Sequence, residues 1–240
     1  MDRVMRIDIL SLFPNVFKGF LQESLINKAI QKGIIKVNLI DIRSFALDKH
    51  RIVDDKPYGG GAGMVMKLEP IYAALKSIGA LKTKRKKVRG SEPIVILLTP
   101  QGKLLDQKTA GSLSKEKHLV FICGRYEGID DRIKHFIDVE LSIGNYVLSG
   151  GELPSMVVIE AVARLLPDFA KEAESIINDS FYNELLDWPA YTRPLVFRGL
   201  KVPKVLTSGD HKKIALWRQK KALEYTKKKK PFLLREKNNE

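Results

Sequence analysis

The 240-residue sequence predicts an α/β fold built on a mostly parallel sheet. Two uniformly apolar runs, residues 93–98 and 119–123, are typical of strands that are buried on both faces of a parallel sheet. The first part of the chain indicates the same class, because strand patterns at residues 5–13 and 34–42 flank a helical pattern that ends at Gly33. A strand, helix and strand in this order usually join parallel neighbours.

Composition indicates a globular protein of the cytoplasm, with no membrane partner. With 44% apolar residues the chain can bury a substantial core. No apolar run approaches the roughly 18 residues that a membrane-spanning helix needs, and we find no secretory signal. The single cysteine, Cys123, cannot form an internal disulfide, which fits a reducing compartment.

The formal charge of +14 is concentrated in two places. Residues 82–89 contain six basic and no acidic residues, and residues 199–240 contain 13 basic against four acidic residues. Such clusters favour a polyanion, because neutralising phosphates releases counterions. A solvated surface is the alternative, above all for the lysine run at residues 227–230. Two separate clusters favour nucleic acid as the partner.

Three loops follow predicted strands and contain the most informative motifs. They are residues 99–102, residues 124–128, and residues 141–154, which follow a strand at residues 138–143. Ligands of open α/β sheets bind just beyond the carboxyl ends of the strands, so we expect the three loops to form one pocket. On spacing alone, residues 141–154 also fit two glycine turns around a short strand, followed by a helix that starts at Pro154.

A further long loop, residues 43–67, has four glycines within residues 59–63. Loops of this length are usually functional or disordered. Tyr58, Met64 and Met66 are too apolar to be left in solvent, so we expect the loop to pack over another part of the protein. Its backbone amides could then meet an anion or a base, and a compact surface loop without a ligand fits the composition equally well.

We predict three regions along the chain: a ligand-binding domain at residues 1–166, a flexible linker at residues 167–180 and a small helical, basic domain at residues 181–240. The linker is polar and weakly patterned, and the last region is interrupted by prolines before a basic amphipathic helix at residues 214–225.

Several common enzyme motifs are absent from the sequence. There is no phosphate-binding P-loop, no dinucleotide-binding glycine motif after the first strand and no nucleophile elbow. The four histidines are scattered, with no pair at metal-ligand spacing, so no metal ligands are predicted.

With these classes excluded, the sequence resembles the bacterial tRNA (guanine-N1)-methyltransferases. The most specific blocks are Cys-Gly-Arg-Tyr-Glu-Gly-Ile-Asp at residues 123–130 and Ser-Ile-Gly-Asn-Tyr-Val-Leu-Ser-Gly-Gly-Glu-Leu-Pro at residues 142–154. Shorter matches lie at residues 54–66, 98–102, 178–181 and 191–194, and at Ser208, Gly209, His211, Trp217 and Arg218. The resemblance implies transfer of a methyl group from S-adenosyl-L-methionine to N1 of the guanosine immediately 3′ of the tRNA anticodon.

The resemblance also implies a deep trefoil knot in the sheet domain and a homodimer with its active sites at the subunit interface. Spacing and composition do not indicate the knot, which is rare among folds. The residues that match the cofactor-binding loops of the family are Leu98, Thr99, Pro100, Gly124, Tyr126, Ile143, Gly144, Asn145, Tyr146, Val147, Leu148, Gly150 and Gly151.

Two further matches imply catalytic roles. Guanine N1 carries a proton, so methyl transfer requires a base, and Asp179 matches the proposed base of the family. Loss of the proton places charge on O6, and Arg164 matches the cation that stabilises it. The matching guanine-binding residues are Tyr126, Glu127, Tyr58 and Gly59. On local grounds, Asp179 also fits a helix N-cap and Arg164 an ion pair with the residue four positions before it.

Asn145 departs from the family pattern, since many members have Asp there. The change removes a negative charge beside the cofactor loop, so a requirement for Mg²⁺ stays open. Two other functions also stay open: a knotted methyltransferase that acts on another base or on a ribose 2′-OH, and a basic RNA-binding protein without catalysis.

Overall fold

The computed structural model describes residues 4–81, 92–170 and 178–236. The basic cluster at residues 82–89 and the middle of the predicted linker, residues 171–177, lie outside these ranges. The chain divides into two compact units, Met1–Lys171 and Glu172–Glu240, and each is described by itself.

The first unit is an α/β structure around one five-stranded sheet. The strands of this unit are β1 (Met5–Ser11), β2 (Ile35–Asp41), β3 (Asp54–Asp55), β4 (Val65–Met66), β5 (Ile94–Leu104), β6 (His118–Cys123) and β7 (Val139–Ser142). The sheet has the strand order β2-β1-β6-β5-β7, and every neighbouring pair is parallel. The two short strands β3 and β4 form a separate antiparallel pair. The helices are α1 (Lys18–Gln22), α2 (Ser24–Gln31), α3 (Leu68–Ser77), α4 (Gln107–Leu113) and α5 (Glu152–Ala163).

The sheet separates two apolar clusters, one on each face. Because successive side chains of a strand point to opposite faces, Phe121 of β6 lies in one cluster and Val120 in the other. Helix α5 covers the first face through Val158 and Ile159, and α3 belongs to the second. Burial on both faces is the physical reason for the uniformly apolar strands, and the predicted parallel α/β class is confirmed.

Strand β5 is longer than predicted. Both Leu98 and Lys103 pair with Leu141 of β7, so residues 99–102 leave the ladder and return to it. The predicted turn therefore lies inside the strand as an irregular loop. At Gly102 a side chain would not fit, because a Cβ atom there would lie 2.7 Å from the carbonyl oxygen of Glu140.

The segment after β7 differs from two expectations. Residues 146–148 form no strand, and Val147 is 82% exposed, so the interpretation as two turns around a short strand is wrong. Helix α5 begins at Glu152, two residues before Pro154, and ends at Ala163. Proline is tolerated in the first turn because its missing N–H would have no helical acceptor there.

The second unit contains β8 (Val196–Phe197), β9 (Leu200–Lys201), α6 (His211–Lys229) and α7 (Leu233–Glu236). Helix α6 extends beyond both ends of the predicted one. Its less exposed residues recur every three or four positions along one face, so the predicted amphipathic helix is confirmed; they are Ile214, Trp217, Lys221, Ala222, Tyr225 and Thr226. The Thr226 hydroxyl accepts a hydrogen bond of 2.9 Å from the backbone N–H of Leu186, which ties residues 178–188 to the helix. None of the helices described is both long and apolar enough to cross a membrane.

Candidate active site

A cavity of about 390 Å³ lies at the carboxyl edge of the sheet. The loops that follow β6 and β7 line it, together with residues 98–101 at the irregular part of β5. These three strands are neighbours and parallel, so their ends lie side by side. The volume is within the range of roughly 300–1,000 Å³ for small-molecule sites. The predicted meeting of three loops at one pocket is confirmed.

Nearly all the residues predicted to bind the cofactor line this cavity. The exception is Asn145, which is exposed and does not contribute to the lining. The residues that do are Leu98, Thr99, Pro100, Gly124, Tyr126, Ile143, Gly144, Tyr146, Val147, Leu148, Gly150 and Gly151. Their placement fits a cofactor site, and their binding roles stay predictions.

Two glycines allow close contact between two of the loops. The backbone N–H of Gly151 donates a hydrogen bond of 3.0 Å to the carbonyl oxygen of Gly124, and Gly150 pairs with Arg125. A Cβ atom at Gly151 would lie 2.7 Å from the Cα atom of Cys123. Glycine is therefore required there by space, since the φ angle of −82° suits any residue.

The predicted guanine-binding residues fall into two groups. Tyr126 and Glu127 line the cavity, and Glu127 donates its backbone N–H to the carbonyl oxygen of Met64, 3.0 Å away. Tyr58 and Gly59 are not among the lining residues, and Tyr58 is fully exposed. The expectation that the glycine-rich loop packs over the protein holds at Met64 and beyond but is wrong at Tyr58.

A buried carboxylate, which the sequence analysis did not single out, lies beside the cavity. Glu152 is only 2% exposed. One carboxylate oxygen accepts a hydrogen bond of 2.7 Å from the hydroxyl of Ser11, and the other accepts one of 3.0 Å from Nε of Arg125. The Arg125 guanidinium also lies 4.6 Å from the centre of the Phe13 ring and donates to the carbonyl oxygen of Ser149 at 3.3 Å.

Side chains of both charges form another part of the lining. The Lys134 ammonium lies 2.6 Å from a carboxylate oxygen of Asp131 and 3.8 Å from one of Glu140. The hydrogen bond to Asp131 raises the pKa of Lys134, which keeps the ammonium charged. Asp131 and Lys134 belong to a 3-10 helix, Asp131–Phe136, that no sequence motif marked. Within the described ranges, no three His, Cys, Asp or Glu side chains are grouped to hold a metal ion.

The single cysteine belongs to the core of the sheet and does not line the cavity. Cys123 is fully buried, and burial, together with the nearby charge of Glu152, raises the pKa of its thiol. A raised pKa disfavours the thiolate, which is the reactive form.

The two predicted catalytic residues belong to different units. Arg164 caps the carboxyl end of α5, is half-buried and does not line the 390 Å³ cavity. Asp179 belongs to the second unit, where it lines a separate cavity of about 430 Å³ between residues 178–188 and α6. Turns rather than a helix follow Asp179, so the N-cap interpretation is wrong.

The fold and this cavity define a parallel α/β protein with a pocket of small-molecule size at the carboxyl edge of its sheet. Comparison with known proteins gives the family. A family described as tRNA (Guanine-1)-methyltransferase TrmD matches residues 5–236 of the chain. The chain belongs to this family.

Relatives from several bacteria agree with the assignment. A protein of Endomicrobium trichonymphae is 54% identical over 233 residues, which cover 96% of this chain and 100% of the relative. One of Carboxydothermus hydrogenoformans is 52% identical, covering 91% of this chain and 83% of the relative. A protein of Geobacillus kaustophilus is 50% identical, and the match covers 97% of this chain and 92% of the relative. All three are named tRNA (guanine-N(1)-)-methyltransferase.

Proposed function

We propose that this protein transfers a methyl group from S-adenosyl-L-methionine to N1 of the guanosine immediately 3′ of the anticodon in tRNA. Family membership supports the reaction, because relatives of about half identity are named for methylation of tRNA guanine at N1. The structural observation that supports the proposal is the 390 Å³ cavity, which is lined jointly by residues 98–101 and by the loops that follow β6 and β7.

The lining fits S-adenosyl-L-methionine, whose sulfonium supplies an electrophilic methyl group. Apolar side chains such as Leu98 and Ile143 and the backbone of the glycine-containing loops suit a nucleoside. Lys134, Asp131 and Glu140 supply charges of both signs, which suit the ammonium and carboxylate of an amino-acid tail. The close contact at Gly151 keeps two walls of the cavity together.

The remaining roles concern the target base. Asp179 takes the N1 proton as the new bond forms, and Arg164 stabilises the negative charge that then develops on O6. The base must leave the stacked anticodon loop before its N1 can be reached. Tyr126 stacks on the extruded guanine and Glu127 accepts hydrogen bonds from its Watson–Crick edge, which their place in the cavity lining supports. Tyr58 and Gly59 complete the guanine site only if the exposed loop moves towards it.

We also propose the assembly that the resemblance implies. The sheet unit forms a deep trefoil knot at the loops after β6 and β7, which membership of the family supports. A homodimer would cover apolar side chains that α5 exposes in the single chain, including Leu153, which is 57% exposed. Its active sites would then lie at the subunit interface.

The domain limits stay as predicted: residues 1–166 bind the cofactor, residues 167–180 connect the domains, and residues 181–240 form a helical domain that binds tRNA. Helix α6 supports the last role, because it has eight Lys or Arg residues and a single Glu. The cytoplasm, where tRNA is modified, is the proposed location. A requirement for Mg²⁺ is tested by comparing activity with and without EDTA, since Asn145 lacks the charge of the family's Asp.

A digest of methylated tRNA to nucleosides tests the reaction. The proposal predicts 1-methylguanosine as the product. A methyl group on a ribose 2′-oxygen or on another base would instead support the alternative knotted methyltransferase. Calorimetry with S-adenosyl-L-methionine addresses the non-catalytic alternative, which predicts no binding.

A further inference from the structure

We propose that Glu152 is a positioning residue that acts through Arg125 to fix the loop at residues 124–128. This loop contains Tyr126 and Glu127, both of which line the cavity. The effect on methyl transfer rests on the proposed function, whereas the effect on the loop itself does not.

The loop adopts a conformation that needs support. Tyr126 has a φ angle of +59°, in the left-handed region that few residues other than glycine adopt. Residues in this region persist only where their surroundings hold them. The backbone N–H groups of Arg125 and Glu127 are bonded to the Met66 sulfur at 3.2 Å and the Met64 carbonyl at 3.0 Å, so the loop is attached on one side to the end of the glycine-rich loop.

The Arg125 side chain attaches the same loop on its other side. It contacts two separate segments of the chain: the Phe13 ring after β1, and residues 149–152, through the Ser149 carbonyl and the Glu152 carboxylate. Among these contacts, the bond to Glu152 joins opposite charges. The Arg125 side chain is 24% exposed and the Glu152 side chain 3%. Because the carboxylate is buried, removal of Arg125 would leave its charge without compensation.

Ser11 provides a matched control. Its hydroxyl donates to the other oxygen of the same carboxylate at 2.7 Å and accepts a hydrogen bond of 2.8 Å from the backbone N–H of Phe13, but it lies on β1 and not on the loop. If Glu152 served only to stabilise the core, loss of either partner would have the same kind of effect. If Glu152 positions the loop, loss of its bond to Arg125 should loosen residues 124–128, and loss of its bond to Ser11 should not.

The experiment compares Glu152→Gln, Arg125→Ala and Ser11→Ala with the wild-type full-length protein. Glu152→Gln keeps the shape and removes the charge. Hydrogen exchange of the amides of Arg125, Glu127 and Gly128 reports on the loop, and thermal unfolding reports on the fold. Steady-state kinetics with tRNA and calorimetry with S-adenosyl-L-methionine report on the site.

We expect Glu152→Gln and Arg125→Ala to accelerate exchange at these amides by about tenfold or more, the effect of losing one charged hydrogen bond. The value of kcat/KM for tRNA should fall by a similar factor, and cofactor affinity should fall as well, because Gly124 and Tyr126 of the same loop line the cavity. Ser11→Ala should lower the unfolding temperature and leave both loop exchange and kcat/KM for tRNA as in the wild type. Double replacement of Glu152 and Arg125 should have no larger effect than Arg125→Ala alone.

Equal loop exchange in Ser11→Ala and Glu152→Gln, or wild-type exchange in Glu152→Gln, would overturn the positioning role. A wild-type protein that does not methylate tRNA would overturn the proposed function instead. The exchange comparison would then still decide whether Glu152 fixes the loop.

Discussion

Replacement of Gly151 by alanine tests whether the close contact between two loops is needed for the cofactor site. The backbone angles at Gly151, φ −82° and ψ −2°, suit alanine, so space alone decides the outcome. The new Cβ atom would lie 2.7 Å from the Cα atom of Cys123 and 3.1 Å from the backbone nitrogen of Gly124. Carbon atoms in contact are ordinarily about 3.5–4.0 Å apart, so one loop must move by about 1 Å.

Overpacking of this kind costs about 1–3 kcal/mol of unfolding free energy. For a unit of this size, that lowers the unfolding temperature by about 3–10 °C. Both Gly124 and Gly151 line the cavity, so the shift also deforms the cofactor site, and we expect the Kd for S-adenosyl-L-methionine to rise by about tenfold or more. Calorimetry and thermal unfolding measure the two effects.

Gly111→Ala is the matched control. Gly111 lies in α4, and a Cβ atom there would meet nothing within 4 Å. The control should therefore leave cofactor affinity unchanged and stabilise the protein by up to about 1 kcal/mol, since alanine favours a helix. If Gly151→Ala matched this control in both measurements, the close contact would not explain the glycine.

Three further predictions concern catalysis, stability and binding. Asp179→Ala should reduce the methylation rate by about 100-fold or more while cofactor binding is retained, and near wild-type turnover would contradict its role as base. Burial alone would raise the pKa of Asp8, but hydrogen bonds from His118 and Asn38 outweigh it and hold the pKa below its ordinary value. The ionised Asp8 carboxylate therefore stabilises the fold fully above about pH 4, its pKa in the unfolded chain, and this stabilisation is lost as the pH falls through its lower pKa in the folded protein. Asp8→Asn should therefore make the free energy of unfolding by urea depend less steeply on pH in this acidic range. An unchanged slope would contradict this prediction. Glutamine at residues 227–230 should weaken tRNA binding and make its salt dependence shallower, whereas identical salt slopes would identify the run as solvated surface.

The sequence predicted the parts of the fold that depend on local pattern. Uniformly apolar runs located β5 and β6, because strands covered on both faces have no polar side to preserve. The chain order of strands and turns then predicted the shared pocket, since parallel strands place their carboxyl ends together. The residues of the candidate site followed from specific blocks rather than from periodicity.

Contacts between residues that are far apart in the chain could not be predicted from the sequence. Ser11 and Glu152 are 141 positions apart, and no local signal shows that their side chains meet below the cavity. The exposure of Tyr58 was mispredicted for a related reason. Residues 59–61 after it have positive φ angles, and a Cβ atom at any of them would meet nothing within 4 Å, so this part of the loop lies in open space. An apolar residue in a loop therefore does not guarantee packing.

Methyl transfer to an anticodon stem-loop tests the central claim most directly. The substrate carries guanine immediately 3′ of the anticodon, and a second stem-loop with adenine at that position serves as its control. With S-adenosyl-L-methionine, we expect one methyl group per stem-loop on the first substrate and none on the second. Equal transfer to both, or transfer to neither, would contradict the proposed function.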